Sequence, residues 1–183
     1  SSSAVQVTVE VTSTNDAPTL SGAGGTLTFT EGIGSTVIDS SLTVADVDDS
    51  NIESATVSFS SGFVASEDVL SFSNTSEITG SYNSSTGVLS LSGTATLVQY
   101  EEALESIRYN NTSGNPNTSN RTISWTVNDG DENSSAVTST ITVVRAPAIS
   151  SATYNDATGI LTVTGSNLPA YSGSNNDIDV SKL

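Results

Sequence analysis

Ser134-Ser135-Ala136-Val137-Thr138-Ser139-Thr140-Ile141-Thr142-Val143 is the stretch on which the reading of this chain turns. Apolar and hydroxylated side chains alternate along it, which is the period of a β-strand with one face buried. The same pattern stands at Ser2-Ser3-Ala4-Val5-Gln6-Val7-Thr8-Val9-Glu10-Val11, and each copy runs into an Ala-Pro linker, Ala17-Pro18 and Ala146-Pro147. A last strand before each linker leaves one repeat unit between them. The expected organisation is the last strand of a preceding module over residues 1–14, a β-sandwich over 15–145, and the start of a following β domain over 146–183.

Between the linkers, short apolar alternations recur and are broken by Gly, Asn and Ser. Leu27 and Phe29 open the series, Val37, Leu42 and Val44 lead into an acidic turn, and Ala55-Val57-Phe59, Leu70-Phe72, Leu89-Leu91, Ile107-Tyr109 and Ile123-Trp125-Val127 follow. Strands of this length separated by turn residues predict a β-sandwich. One short helix interrupts them. Thr96 followed by Gln99 makes a capping box, Leu97, Tyr100, Leu104 and Ile107 fall on one helical face, and Glu101 and Glu102 stand near the positive N-terminal end. A second echo joins Tyr82–Gly93 to Tyr154–Gly165; both contain Asn-x-x-Thr-Gly, a hairpin turn whose Gly supplies positive φ. The plain reading is one hairpin solution used twice.

Composition agrees with an all-β class. One Trp, five Tyr and four Phe are set among abundant Ser, Thr and Asn, a mixture that suits strands and polar turns better than helical bundles. Twenty acidic residues face four basic ones, for a formal net charge of −16. Such a surface repels phosphate backbones and anionic lipid, so neither nucleic acid nor membrane insertion is expected. The chain has no Cys, His or Met, which removes thiol chemistry, Cys/His zinc sites, imidazole catalysis and disulfide staples. A secreted protein without disulfides needs another stiffener.

Three oxygen-rich turns are the candidate site: Asn15-Asp16 in the first linker, Asp46-Val47-Asp48-Asp49-Ser50-Asn51 after a strand, and Asp129-Gly130-Asp131 after the Trp125 strand. In a sandwich these can meet at one end. Ca²⁺ takes six to eight oxygens at about 2.3–2.6 Å from carboxylates, Asn side chains and backbone carbonyls. In an Asp-x-Asp pair the middle residue points away, so both carboxylates can turn to one ion, and without a cation such a cluster repels itself. The competing reading is of ordinary solvated Asp/Asn turns.

Thr14-Asn15-Asp16-Ala17-Pro18 resembles the linker between consecutive cadherin repeats, Asp46-Val47-Asp48 resembles the cadherin Asp-x-Asp calcium motif, and Asn128-Asp129-Gly130 is similar to the segment before the final cadherin strand. Glu31 stands where cadherins carry a glutamate at the end of the first strand. Tyr100–Tyr109 followed by Asn111-Thr112-Ser113 resembles the bacterial cadherin-like repeats of giant surface adhesins. The likeness covers residues 1–147. It implies an Ig-like or cadherin-like sandwich in which Ca²⁺ at the junction stiffens neighbouring modules into a rod. Carried over by position, the metal ligands are Asn15, Asp16, Asp46, Asp48 and Asp129, with Glu31 toward the second linker; Asp49, Asn51 and Asp131 are weaker candidates. The sequence departs from the pattern at Val144-Arg145-Ala146-Pro147, where Arg145 replaces an Asn-Asp pair, and no Asp-Arg-Glu motif is found.

The function these readings predict is a calcium-dependent extender or adhesion module of a long bacterial cell-surface protein, extracellular and not an enzyme. Its expected partners are neighbouring modules of the same chain, with surface glycans or other cells beyond them. The alternative is a carbohydrate-binding sandwich that uses Trp125, Tyr82, Tyr100 or Tyr109 as stacking platforms, although the alternation around Trp125 favours the core. The acidic turn Asn175-Asn176-Asp177-Ile178-Asp179 reads as a solvated loop.

Overall fold

The computed structural model describes residues 3–10 and 14–168; the 175–179 turn lies outside them. Thirteen strands and one helix follow in order: β1 (Thr19–Ser21), β2 (Thr26–Thr30), β3 (Thr36–Val37), β4 (Thr43–Ala45), β5 (Asn51–Ser61), β6 (Asp68–Ser71), β7 (Thr79–Asn83), β8 (Val88–Thr96), α1 (Leu97–Glu105), β9 (Arg108–Asn111), β10 (Arg121–Asn128), β11 (Val137–Val144), β12 (Ala148–Asn155) and β13 (Ile160–Ser166). A six-stranded sheet runs β2-β11-β10-β5-β8-β7, a three-stranded sheet runs β3-β9-β6, and β1 pairs with β4. The class is all-β and sandwich-like, with a single short helix among the described residues.

The alternation read in the sequence becomes the inside and outside of this sandwich. Along β10, Ile123, Trp125 and Val127 are buried between Thr and Ser neighbours, and Ile141 and Val143 do the same along β11. The two layers meet through aromatics. Phe29 on β2 packs edge-on against Tyr109 on β9 at 4.9 Å between ring centres, and Phe59 on β5 approaches the same ring at 6.2 Å. β2 and β11 run parallel, with Phe29 opposite Val143, whereas every other pairing is antiparallel.

Helix α1 begins as expected, with Thr96 and Gln99 bonded reciprocally in a capping box. The expectation for its acids is not met, because its first turn holds none. Glu101 lies one turn further on, where its carboxylate accepts the backbone N–H of Val44 at 3.1 Å instead of facing the dipole. The residues 3–10, expected within a last strand of a preceding module, form no ladder with any described strand, and their valines are exposed. A pleated pattern becomes a strand only when an edge offers its backbone partners.

Two buried polar networks hold the sandwich where disulfides are absent. Arg121 and Asp68 are fully buried; the guanidinium donates to both Asp68 oxygens at 3.1 Å and to the carbonyls of Asn117 and Ser119. Tyr109 Oη and Asn111 Nδ2 also donate to Asp68, at 2.7 and 3.0 Å. In the second network Trp125 Nε1 donates to Ser139 Oγ, which donates to Asp39, whose carboxylate also accepts the N–H groups of Gly25 and Ser41. Asp39 thereby ties the 22–25 and 39–41 loops to the core.

Removing Arg121 strands a buried carboxylate. Arg121→Met is expected to cost roughly 3–5 kcal/mol, and the double change with Asp68→Leu to recover part of that loss, as read by urea unfolding followed through Trp125 fluorescence. At high pH the fold is held neutral at Tyr100. Burial, and then the nearby Glu53 carboxylate, push its hydroxyl up to about 12 from the usual 10.0. The neutral phenol donates to the Gly93 carbonyl at 2.7 Å. Because the folded value is the higher one, its stabilisation is complete below pH 10 and is lost as pH rises toward about 12. Tyrosinate absorbance and circular dichroism during alkaline titration should report that loss together, and Tyr100→Phe should weaken the dependence.

Candidate metal centre

β10 ends at Asn128 and turns back to β11 through Asp129-Gly130-Asp131, while β4 ends at Ala45 and reaches β5 through Asp46–Ser50. Both turns fold on local carboxylate bonds. Asp46 Oδ1 accepts the N–H groups of Asp48 and Asp49 at 3.1 and 3.0 Å, and Asp129 Oδ1 accepts those of Asp131 and Glu132 at 2.8 and 2.7 Å. These are Asx turns, in which a short carboxylate stands in for a backbone acceptor. Gly130 sits at φ +114 with Glu53 beside it, so a side chain there would meet both strain and the Glu53 carboxyl group.

The first linker is clamped across the two turns. Asn15 Nδ2 donates to Asp129 Oδ2 at 3.0 Å, and the backbone N–H of Asp16 points at both Asp48 oxygens at 3.3 and 3.4 Å. Pro18 behind them is buried. Five of the six expected ligands, Asn15, Asp16, Asp46, Asp48 and Asp129, therefore meet at one end of the sandwich. The middle residue Val47 of the Asp-x-Asp pair is exposed, as its spacing predicts.

Glu31 lies at the other end. Its N–H donates to Val144 O at 2.8 Å, and its carboxylate accepts the N–H of Ala146 in the second linker at 3.2 Å. It points where the sequence reading placed it, and a backbone N–H satisfies it there. Arg145 turns away to donate to the Pro116 carbonyl at 3.1 Å.

The charge at the first end is only partly balanced. Asn15 is the first cause, and turn N–H groups the next, that hold Asp129 below the ordinary carboxylate value. Asp49 is raised, first by desolvation and then by the charges of Asp48, Asp46, Asp129 and Asp131. Asp46 Oδ2 is buried with no hydrogen-bond partner, and the Asp49 carboxylate of the same turn feels the charges of four other aspartates, Asp46 among them; an orphaned carboxylate oxygen in so acidic a turn favours a cation. The donor chemistry, all oxygen and mostly carboxylate, fits Ca²⁺. Among the described residues, however, no three carboxylates already form a ready-made metal cluster, so the side chains would have to turn to share one ion.

Glu53 and Glu101 are acids near this end that sequence reasoning did not single out. Glu53 stands on β5 two residues beyond Asn51, so strand alternation could have carried it to the same side. The sequence marked Glu101 only as an acid near the helix start, not as a neighbour of the acidic turns.

Asp49 supplies the test of this charge balance. Since its folded value is raised, repulsion is absent at low pH and grows as pH rises through that value. Asp49→Asn is therefore expected to raise the melting temperature at neutral pH in chelator, with the gain vanishing at low pH, where Asp49 itself is protonated. Melting curves at the two pH values give the comparison.

No family model matches the chain. Halomucin of Haloquadratum walsbyi is 38% identical to it over 122 residues, which is 62% of this chain and 1% of that protein. The chain thus spans about one hundredth of the length of this curated relative, and the aligned part is similar to one small piece of a far longer polypeptide.

Proposed function

We propose that this chain is a non-enzymatic structural module of a long cell-surface protein, an extender or adhesion unit of cadherin-like type whose first junction is stiffened by Ca²⁺. The observation that carries the reading is that Asn15, Asp16, Asp46, Asp48 and Asp129, from three segments distant in sequence, lie at one end of the sandwich, where one oxygen of Asp46 is buried without a partner. These five residues would hold the ion, with Asp49 and Asp131 beside them. The ion would supply positive charge to an end rich in carboxylates and lock the linker to both turns. Similarity to a segment of the very long halomucin supports a role in a long surface polymer. Among the described residues no helix is long and apolar enough to cross a membrane.

The carbohydrate-binding alternative receives less support. Trp125, Tyr100 and Tyr109 are fully buried, and Tyr82 lies against the core with its hydroxyl on the Asp68 carbonyl. None of these rings offers an open stacking face.

Thermal unfolding with and without chelator tests the calcium reading. Saturating Ca²⁺ at about 100 times its dissociation constant should stabilise by about 2.7 kcal/mol. For a chain of this size that is a rise of several degrees, at roughly 2–4 °C per kcal/mol. Mg²⁺ should restore little of it, because it demands tighter octahedral geometry. Asp46→Asn combined with Asp48→Asn should abolish the response. An unchanged melting temperature across chelator and Ca²⁺ would remove the ion from the account.

A further inference from the structure

Hairpin β12–β13 repeats the strand pairing of hairpin β7–β8 beside its turn. Tyr82 pairs with Leu89, Ser81 with Ser90 and Gly80 with Leu91; Tyr154 pairs with Leu161, Thr153 with Thr162 and Ala152 with Val163. The turns match as well. Asn83 and Asn155 each accept the N–H of the Thr three residues on, and Gly87 and Gly159 sit at φ +71 and +65. The surroundings differ completely. Leu89 and Leu91 are buried in the sandwich core, and β5 pairs along the far edge of β8, with Val57 opposite Leu89 and Ala55 opposite Leu91. Among the described residues nothing pairs with the same edge of β13, and Tyr154 is 59% exposed.

Leu161 and Val163 are only half-buried, a two-stranded hairpin is marginal in water, and its open edge is a template for another strand. The same chain carries such a strand. Residues 3–10 alternate Val5, Val7 and Val9 with polar neighbours, the three valines are 85%, 80% and 77% exposed, and no described strand pairs with them. Laid antiparallel on β13 as β5 lies on β8, this segment sets Val7 opposite Val163 and Val9 opposite Leu161. Charge permits the contact. In a chain of net charge −16, residues 3–10 carry one acid, Glu10, and β12–β13 with its turn carries one, Asp156.

We propose that β12–β13 of one copy accepts residues 3–10 of a second copy as its third strand, giving head-to-tail association of chains. Donor and acceptor are different surfaces of the molecule, so the contact is heterologous and each bound copy leaves one strand and one hairpin free for the next. The association grows with concentration and does not close at a dimer. It is independent of the calcium reading, because neither surface contains an acidic-turn residue.

Sedimentation of the full chain tests this, in chelator to remove any cation bridging and at high salt to screen the acidic surface. The weight-average mass should rise with protein concentration well past that of a dimer. Val7→Glu should be monomeric alone, since its strand is spoiled, and so should Leu161→Glu, whose hairpin is spoiled. An equimolar mixture of the two should associate and stop at a dimer, because the intact strand of one meets the intact hairpin of the other. Neither position belongs to the sandwich core, so Trp125 fluorescence should stay native in both variants. If either fails that check, Val9→Glu or Val163→Glu replaces it. A wild-type chain that stays monomeric, single variants that still associate, or a mixture that does not would each overturn the proposal.

Discussion

The parallel pairing of β2 with β11 is the constraint on which the rest of the molecule depends. Because β11 runs alongside β2 and away from the Asp129 turn, the chain enters the sandwich at one end and leaves it at the other. Eight strand residues separate the two linkers by roughly 26 Å at about 3.3 Å per residue. A module built this way extends a polypeptide, whereas one whose linkers shared an end would fold it back. The same pairing sends Asn15 to the acidic turns and Glu31 to the opposite linker.

The two ends are satisfied by different chemistry. At the second linker the one acid involved, Glu31, already has a backbone N–H, and Arg145 is spent on a carbonyl. At the first linker, Asn15 and the Asp16 N–H answer only part of a charge that five aspartates share. On the proposed reading as an extender, the charge-rich end is the junction that a cation would stiffen, and the other end is governed by the linker itself.

With no cysteine available, internal rigidity comes from buried polar groups. Asp68 and Arg121 are expensive to desolvate, yet the guanidinium, Tyr109 and Asn111 together saturate the carboxylate. The Trp125-Ser139-Asp39 chain satisfies a second buried carboxylate. These networks draw residues from segments far apart in sequence, so they fix which strands face one another more specifically than interchangeable aliphatic contacts do.

The sequence by itself determined the strand faces, the helix start at Thr96, the hairpin turns at Gly87 and Gly159, and the grouping of acids into turns, because each is governed by near neighbours: side-chain alternation, a capping side chain three residues on, a glycine that tolerates positive φ. The end at which Glu31 lies was implied by the resemblance to cadherin repeats and not by any local pattern. Only the tertiary structure decided that Asp68 is buried beside Arg121, that Glu101 serves Val44 instead of the helix dipole, and that one oxygen of Asp46 has no partner. It also decided that two like hairpins have different fates, the edge of β8 paired by β5 and the same edge of β13 unpaired among the described residues. Those outcomes depend on which backbone edge or charge arrives from elsewhere in the chain, and no local pattern carries that information.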